Sequence, residues 1–223
     1  MHQGKGKRIL TYLLLLVTVG SINNIELKKI KFDKVEKVYV SGLSDRENKN
    51  LKNEIKNLNL ENIFFISSVE ILKIIDSNPL IEKYMINKIY PSTIDIKIKK
   101  TTFLAKINYE NGTFLLGSNG KLSKTMYSNK ELPFIFGKPK IYDFLTFKDI
   151  LDHSKFSYNK IKNFYFYPSK RWDIEIENNI IIKLPKTNVM SSLNQVYAFL
   201  NDNNLKNIKI IDARVKNQII LND

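Results

Sequence analysis

The chain has 223 residues, room for one large domain or two small ones beside a short apolar segment. Hydrophobic residues make up 43% of it, which excludes wholesale disorder, and the absence of cysteine excludes disulfides and thiolate metal sites. A formal charge of +14 raises nucleic acid as a ligand, but the lysines are dispersed rather than gathered in one block, and charge alone gives only non-specific attraction. Lys, Asn and Ile are used heavily throughout, so the sequence is read as having no nucleic-acid partner. A basic surface toward anionic lipid or cell-wall polymer accounts for the charge as well.

In chain order, residues 1–8 form a basic tail with Lys5, Lys7 and Arg8. An apolar run follows from Ile9 to Ile22 and is closed by Asn23 and Asn24. About 20 residues make a comfortable spanning helix, so a run this short fits a cleaved signal peptide, a buried helix or an uncleaved anchor. The run is apolar all round, which argues against a buried amphipathic helix, and it lacks a clean small-x-small cleavage site. The anchor is therefore the favoured reading. It covers 9–27, with the basic tail held in the cytoplasm by the positive-inside rule.

Residues 28–34 read as a charged connector. Val35 to Val40 then reads as a strand broken by Gly42. Ser44-Asp45-Arg46-Glu47 and Ser67-Ser68-Val69-Glu70 have the spacing of capping boxes. The first opens a helix with Leu51, Ile55 and Leu58 on one face. The second opens a helix with Ile71, Leu72 and Ile75, ending near Asn78-Pro79. Leu80 to Ile89 reads as a strand ended by Tyr90-Pro91-Ser92. Thr93 to Lys100 alternates as a half-buried antiparallel strand, with Ile94, Ile96 and Ile98 on one side. Two helices on one face of a three-stranded sheet follow from this order.

The rest is mainly strand. A hairpin is predicted over Phe103–Tyr109 and Gly112–Leu116, and Asn119-Gly120 is a turn pair. Leu132 to Gly137 is a short apolar segment. Strands are predicted at Ile161–Tyr167, Trp172–Glu177, Ile180–Leu184, Ile208–Arg214 and Gln218–Leu221. Helices are predicted near Tyr142–Asp152 and Asn188–Leu200. The fold class is thus α+β: a membrane helix, a βααββ module over 35–101, and a mainly antiparallel β domain with two helices over 102–223.

No Gly-rich phosphate loop, His-Glu-x-x-His or Gly-x-Ser-x-Gly occurs in the sequence. His153 stands alone, and Asp149 and Asp152, three apart on a helix, read as a solvated face. The reading is therefore not an enzyme, with no cofactor, metal or small-molecule substrate. Binding through the backbone of a sheet edge fits better. Val215 to Leu221 alternates at the chain end, with Val215, Asn217, Ile219 and Leu221 on one side and Lys216, Gln218 and Ile220 on the other.

Several segments carry a resemblance. A βααββ module after an apolar segment resembles a POTRA domain. Within it, Val38-Tyr39-Val40-Ser41-Gly42, Asn78-Pro79-Leu80-Ile81 and Tyr90-Pro91-Ser92-Thr93-Ile94-Asp95-Ile96 are similar to its opening strand, post-helix segment and proline turn. Leu132-Pro133-Phe134-Ile135-Phe136-Gly137, Arg171-Trp172-Asp173 with Ile182-Lys183-Leu184-Pro185, and Ile211-Asp212-Ala213-Arg214-Val215 resemble later segments of the FtsQ/DivIB family. The sequence departs from the family pattern at Lys99-Lys100 with Thr102 and at Leu116-Gly117-Ser118.

The resemblance implies a divisome scaffold of the cell inner membrane, single-pass, with its bulk in the periplasm and concentrated at the septum. It implies FtsB-like and FtsL-like partners, other divisome components, and control of septal peptidoglycan synthesis. It places partner binding at Arg171, Arg214, Val215, Asn217, Gln218, Ile219 and Leu221, and a POTRA recruitment edge at Ile86 and Lys88. The alternatives are a POTRA-containing periplasmic module of outer-membrane protein assembly, or a secreted envelope-binding protein.

Overall fold

The structure is a computed structural model that describes residues 3–22, 34–58, 60, 63, 68–109, 112–124, 131–202 and 208–222. The chain forms two compact units. One takes in Met1–Ser41, Asp45–Leu72 and Met85–Lys97, the other Gly42–Ser44, Lys73–Tyr84 and Ile98–Asp223. Helix α1 runs over Gln3–Ile22 and so includes the basic residues read as a tail. Its side chains from Ile9 to Val19 are largely exposed. Among the described residues no helix is long and apolar enough to cross a membrane. Residues 23–33, which hold the rest of the expected anchor and its connector, lie outside the described residues, as does Ser67 of the second capping box.

The three-stranded sheet has the order β1-β3-β2, from β1 (Lys37–Ser41), β2 (Ile81–Ile89) and β3 (Thr93–Lys100). Its helices are α2 (Asp45–Lys56) and α3 (Ser68–Ser77). Ser44 sits at the N-cap position of α2, and Leu51 and Ile55, four apart on one face, are buried at 2% and 0% exposure. In β3 the alternation is realised, with Ile94, Ile96 and Ile98 buried and Lys97 exposed. The expected antiparallel pairing is corrected on one side, because β3 runs parallel to β1, with Val38 opposite Ile94. A helical crossover lets two strands run the same way, which the periodicity of one strand cannot reveal. Gly42 ends β1 with φ +108°, and a Cβ there would stand 1.8 Å from the Ile98 carbonyl oxygen, so no other residue fits.

The nine-stranded sheet has the order β12-β11-β10-β9-β8-β7-β4-β5-β6. Its strands are β4 (Phe103–Tyr109), β5 (Gly112–Gly117), β6 (Leu122–Lys124), β7 (Phe134–Phe136), β8 (Ile161–Phe166), β9 (Trp172–Ile176), β10 (Ile181–Lys183), β11 (Ile210–Asp212) and β12 (Ile220–Asn222). It is mainly antiparallel, interrupted where β7 pairs parallel with both β4 and β8 and where β10 pairs parallel with β11. Asn178 and Asn179, both at positive φ, turn the chain between β9 and β10, as asparagine pairs in tight hairpins do.

Helices α4 (Ile141–His153) and α5 (Val189–Asp202) cover one face of this sheet. Phe144, Phe147, Leu151, Leu193 and Val196 join Ile135, Phe164, Ile174, Ile182 and Ile211 in a single buried cluster. Trp172 closes it, stacked on Phe147 with centroids 5.0 Å apart. Asp149 and Asp152 lie on the outer side of α4, where Asp152 pairs with Lys148 and Asp149 with His153.

A candidate partner-binding edge

The in-register partners of β8 to β12 define two faces, since residues directly opposite across a sheet share a side. Phe164, Ile174, Ile182, Ile211 and Leu221 make a row on the helix-covered face. The neighbouring row, on the other face, is Tyr165, Asp173, Lys183, Asp212 and Ile220. The first row is fully buried until it reaches the last strand, where Leu221 is 41% exposed, and Ile220 at the end of the second row is 48% exposed. Two apolar side chains therefore stand in solvent on a strand that is the outer edge of the sheet.

The terminal segment is strand only over Ile220–Asn222, not from Val215. Asn217 adopts φ +59° and Gln218 N–H donates to the Val215 carbonyl at 3.2 Å, so Val215 to Gln218 is a turn. Asparagine enters the left-handed region more readily than most residues, so Lys216-Asn217 is a turn signal inside the alternating run. Val215, Asn217 and Gln218 are exposed in that turn. Ile219 is half-buried against the core, and Leu221 lies on the edge strand itself.

On the open face Arg214 follows β11, next to this edge, while Arg171 precedes β9, further into the sheet. Arg214 Nε donates to both carboxylate oxygens of Asp212, at 2.9 and 3.0 Å, and Nη2 donates to Oδ2 at 2.5 Å. Those bonds from Arg214 hold the Asp212 carboxyl below its ordinary range against the opposing effect of burial, and Lys183 adds to the lowering. Arg171 Nε and Nη2 donate to Asp173 at 3.1 and 3.4 Å, and the guanidinium lies 4.4 Å over the Tyr167 ring. Asp173 has no exposed surface and also accepts the Leu184 backbone N–H at 3.3 Å. Burial first, and then the Asp173 charge, push the Tyr167 hydroxyl above its usual range.

Asp173, Tyr167, Lys183 and Asp212 were not singled out from the sequence for a role. The available signal was the spacing: Arg-x-Asp at 171–173 and Asp-x-Arg at 212–214 put each pair on one side of a strand. Ile86 and Lys88 lie on β2, an edge strand of the three-stranded sheet; Ile86 is half-buried and Lys88 exposed. Among the described residues no three His, Asp or Glu side chains are grouped so as to hold a metal ion.

The POTRA domain of the FtsQ type matches residues 33–100, and the C-terminal domain of cell division protein FtsQ/DivIB matches residues 105–214. Cell division protein FtsQ of Rhizobium meliloti is 20% identical over 188 residues, 82% of this chain and 61% of that protein. The FtsQ of Rickettsia bellii is 25% identical over 189 residues, 83% of this chain and 70% of that one. This chain thus spans less than two thirds of the Rhizobium protein. The major extracytoplasmic domain of DivIB from Geobacillus stearothermophilus aligns with 14% identity and a TM-score of 0.33, covering 47% of this chain and 98% of that one, a likeness too slight to bear on the fold. With its two successive domains matched in order, the chain belongs to the FtsQ/DivIB family of cell division proteins.

Proposed function

We propose that this protein is a non-enzymatic scaffold of the bacterial divisome that captures an FtsB-like partner, and with it an FtsL-like one, by adding a partner strand to β12. The observation that carries the reading is the edge itself. Among the described residues β12 has one neighbour in the sheet, and its Ile220 and Leu221 are exposed. Strand addition draws affinity from the main chain and specificity from alternate side chains. Arg214 then supplies charge-assisted hydrogen bonds near the added strand, Arg171 offers a second cationic contact further along the open face, and Ile219 supports the strand from the core side. Val215, Asn217 and Gln218 act as the turn that aims β12, and Ile86 and Lys88 on the β2 edge act as a second recruitment surface.

In this reading residues 35–101 are the POTRA domain and 102–223 the β domain. Residues 1–8, 9–27 and 28–34 are the cytoplasmic tail, the anchor and the connector of a single-pass inner-membrane protein. The anchor reading is supported by the basic residues before an exposed apolar helix surface. The scaffold would gather at the septum, link early to late division components and control septal peptidoglycan synthesis. The test is capture of the FtsB-like protein of the same organism by the full chain in membranes. Capture that survives with the β12 edge blocked would reject the edge as the binding site. A fluorescent fusion should form midcell rings, and a uniform envelope signal would contradict the septal role.

A further inference from the structure

Asp173 is a carboxylate with no exposed surface, on the sheet face that α4 and α5 leave uncovered. In its row the charges alternate: Asp173 on β9 faces Lys183 on β10, which faces Asp212 on β11. Each aspartate holds an arginine two residues away by the Nε–Nη2 side of the guanidinium. That geometry leaves the Nη1 end of each fork turned away from its carboxylate. Stability alone gives a weak reason for this arrangement, since a buried ion pair stabilises a fold little better than apolar residues of the same volume.

We propose that Asp173 is a positioning residue for partner capture: with Lys183 beside it and Asp212 beyond, it lets two like-charged arginines stand on one face and fixes Arg171 over the Tyr167 ring. The inference rests on the reading that Arg171 touches the partner. Asp173 itself is buried, so its effect on the partner passes through Arg171, which it holds together with Tyr167. An arginine so held loses little freedom on binding, which is where preorganisation adds affinity. Tyr167, 37% exposed, is the other half of the clamp.

A double-mutant cycle separates this role from a structural one. The full chain in detergent micelles is titrated with the labelled periplasmic segment of the FtsB-like protein, and affinity is read by fluorescence anisotropy. Arg171→Ala and Asp173→Asn are each expected to weaken capture roughly tenfold, the effect of one charge-assisted hydrogen bond. The double variant should bind no more weakly than Arg171→Ala alone. Losses that multiply in the double variant, or parent-like capture by Asp173→Asn, overturn the proposal. Parent-like capture by Arg171→Ala removes Arg171 from the interface and the proposal with it, while leaving the β12 edge untouched. Should Asp173→Asn fail to fold, Tyr167→Leu replaces it in the same cycle: a loss confined to the Arg171 background supports the clamp, and a loss equal in both backgrounds refutes it.

Discussion

Asp212 on β11 stands directly opposite Ile220 on β12, so the ion pair that Asp212 makes with Arg214 flanks the exposed edge strand. The charge and the open backbone edge are therefore parts of one surface. They are built by a strand of three residues and the turn that precedes it.

This pair has a pH signature. The carboxyl of Asp212 is depressed in the fold, chiefly by hydrogen bonds from Arg214. Its contribution to stability is thus full above its unfolded value, about pH 4, and is lost as pH falls through the lower folded value. Asp212→Asn should flatten the acid limb of a plot of melting temperature against pH, below the unfolded value of about pH 4, relative to the parent. An unchanged acid limb would mean that the pair is not formed in solution.

The core prediction concerns the single tryptophan. Phe147 stacks on Trp172, and both are buried, at 2% and 6% exposure. Phe147→Ala should cost about 3–5 kcal/mol by chemical denaturation, the usual range for an aromatic removed from a core. Trp172 fluorescence should shift to the red in the folded variant as water reaches the cavity. A cost under about 1 kcal/mol would place Phe147 outside the cooperative core.

Asn119 tests the turn before β6. Its side-chain amide donates to the carbonyls of Pro79 at 3.0 Å and Ile81 at 2.8 Å, while its Oδ1 accepts Lys121 N–H at 3.0 Å. Beside it Ser118 Oγ donates to Glu82 at 2.6 Å, and Thr101 Oγ1 donates to the same oxygen at 3.1 Å. Asn119→Ala strands those partly buried carbonyls and should destabilise by about 1–3 kcal/mol. Asn119→Asp keeps the acceptor but loses both donors, and should be no better than alanine. Equal melting curves for parent and Asn119→Asp would contradict the assignment of the amide as donor.

At the N-terminus, the anchor reading predicts that the chain extracted from its native membrane still contains Leu10 to Asn24 by mass spectrometry. A mature form beginning after Ser21 would instead identify a cleaved signal peptide.

Much of this architecture was legible in the sequence where one physical signal acted alone. The alternation of Ile94, Ile96 and Ile98 gave β3 its bounds, and Asn119-Gly120 marked a turn because Gly120 takes a positive φ there. The helices near Phe144 and Leu193 followed from apolar spacing. Pairing direction did not follow, because the parallel contacts β1–β3 and β7–β8 join strands distant in sequence. At the candidate site, alternation over Val215 to Leu221 imitated a longer strand, and the turn residue Asn217 fitted the same pattern. The roles of Asp173 and Asp212 were hidden for a different reason. Each acts on an arginine two residues away, and only the sheet shows that Lys183 stands between them.

The central claim is that β12 takes up a partner strand, and amide hydrogen exchange measures this at the atoms concerned. Neighbouring residues of an edge strand send their N–H groups alternately inward and outward, so among Ile220, Leu221 and Asn222 at least one amide faces solvent. Exchange at these three amides is followed in the full chain with and without a saturating amount of the FtsB-like periplasmic segment. Strand addition predicts that the outward amide, fast in the free protein, slows by at least about a hundredfold in the complex, in line with a newly formed ladder bond. Saturated binding that leaves all three exchange rates unchanged would contradict capture at β12.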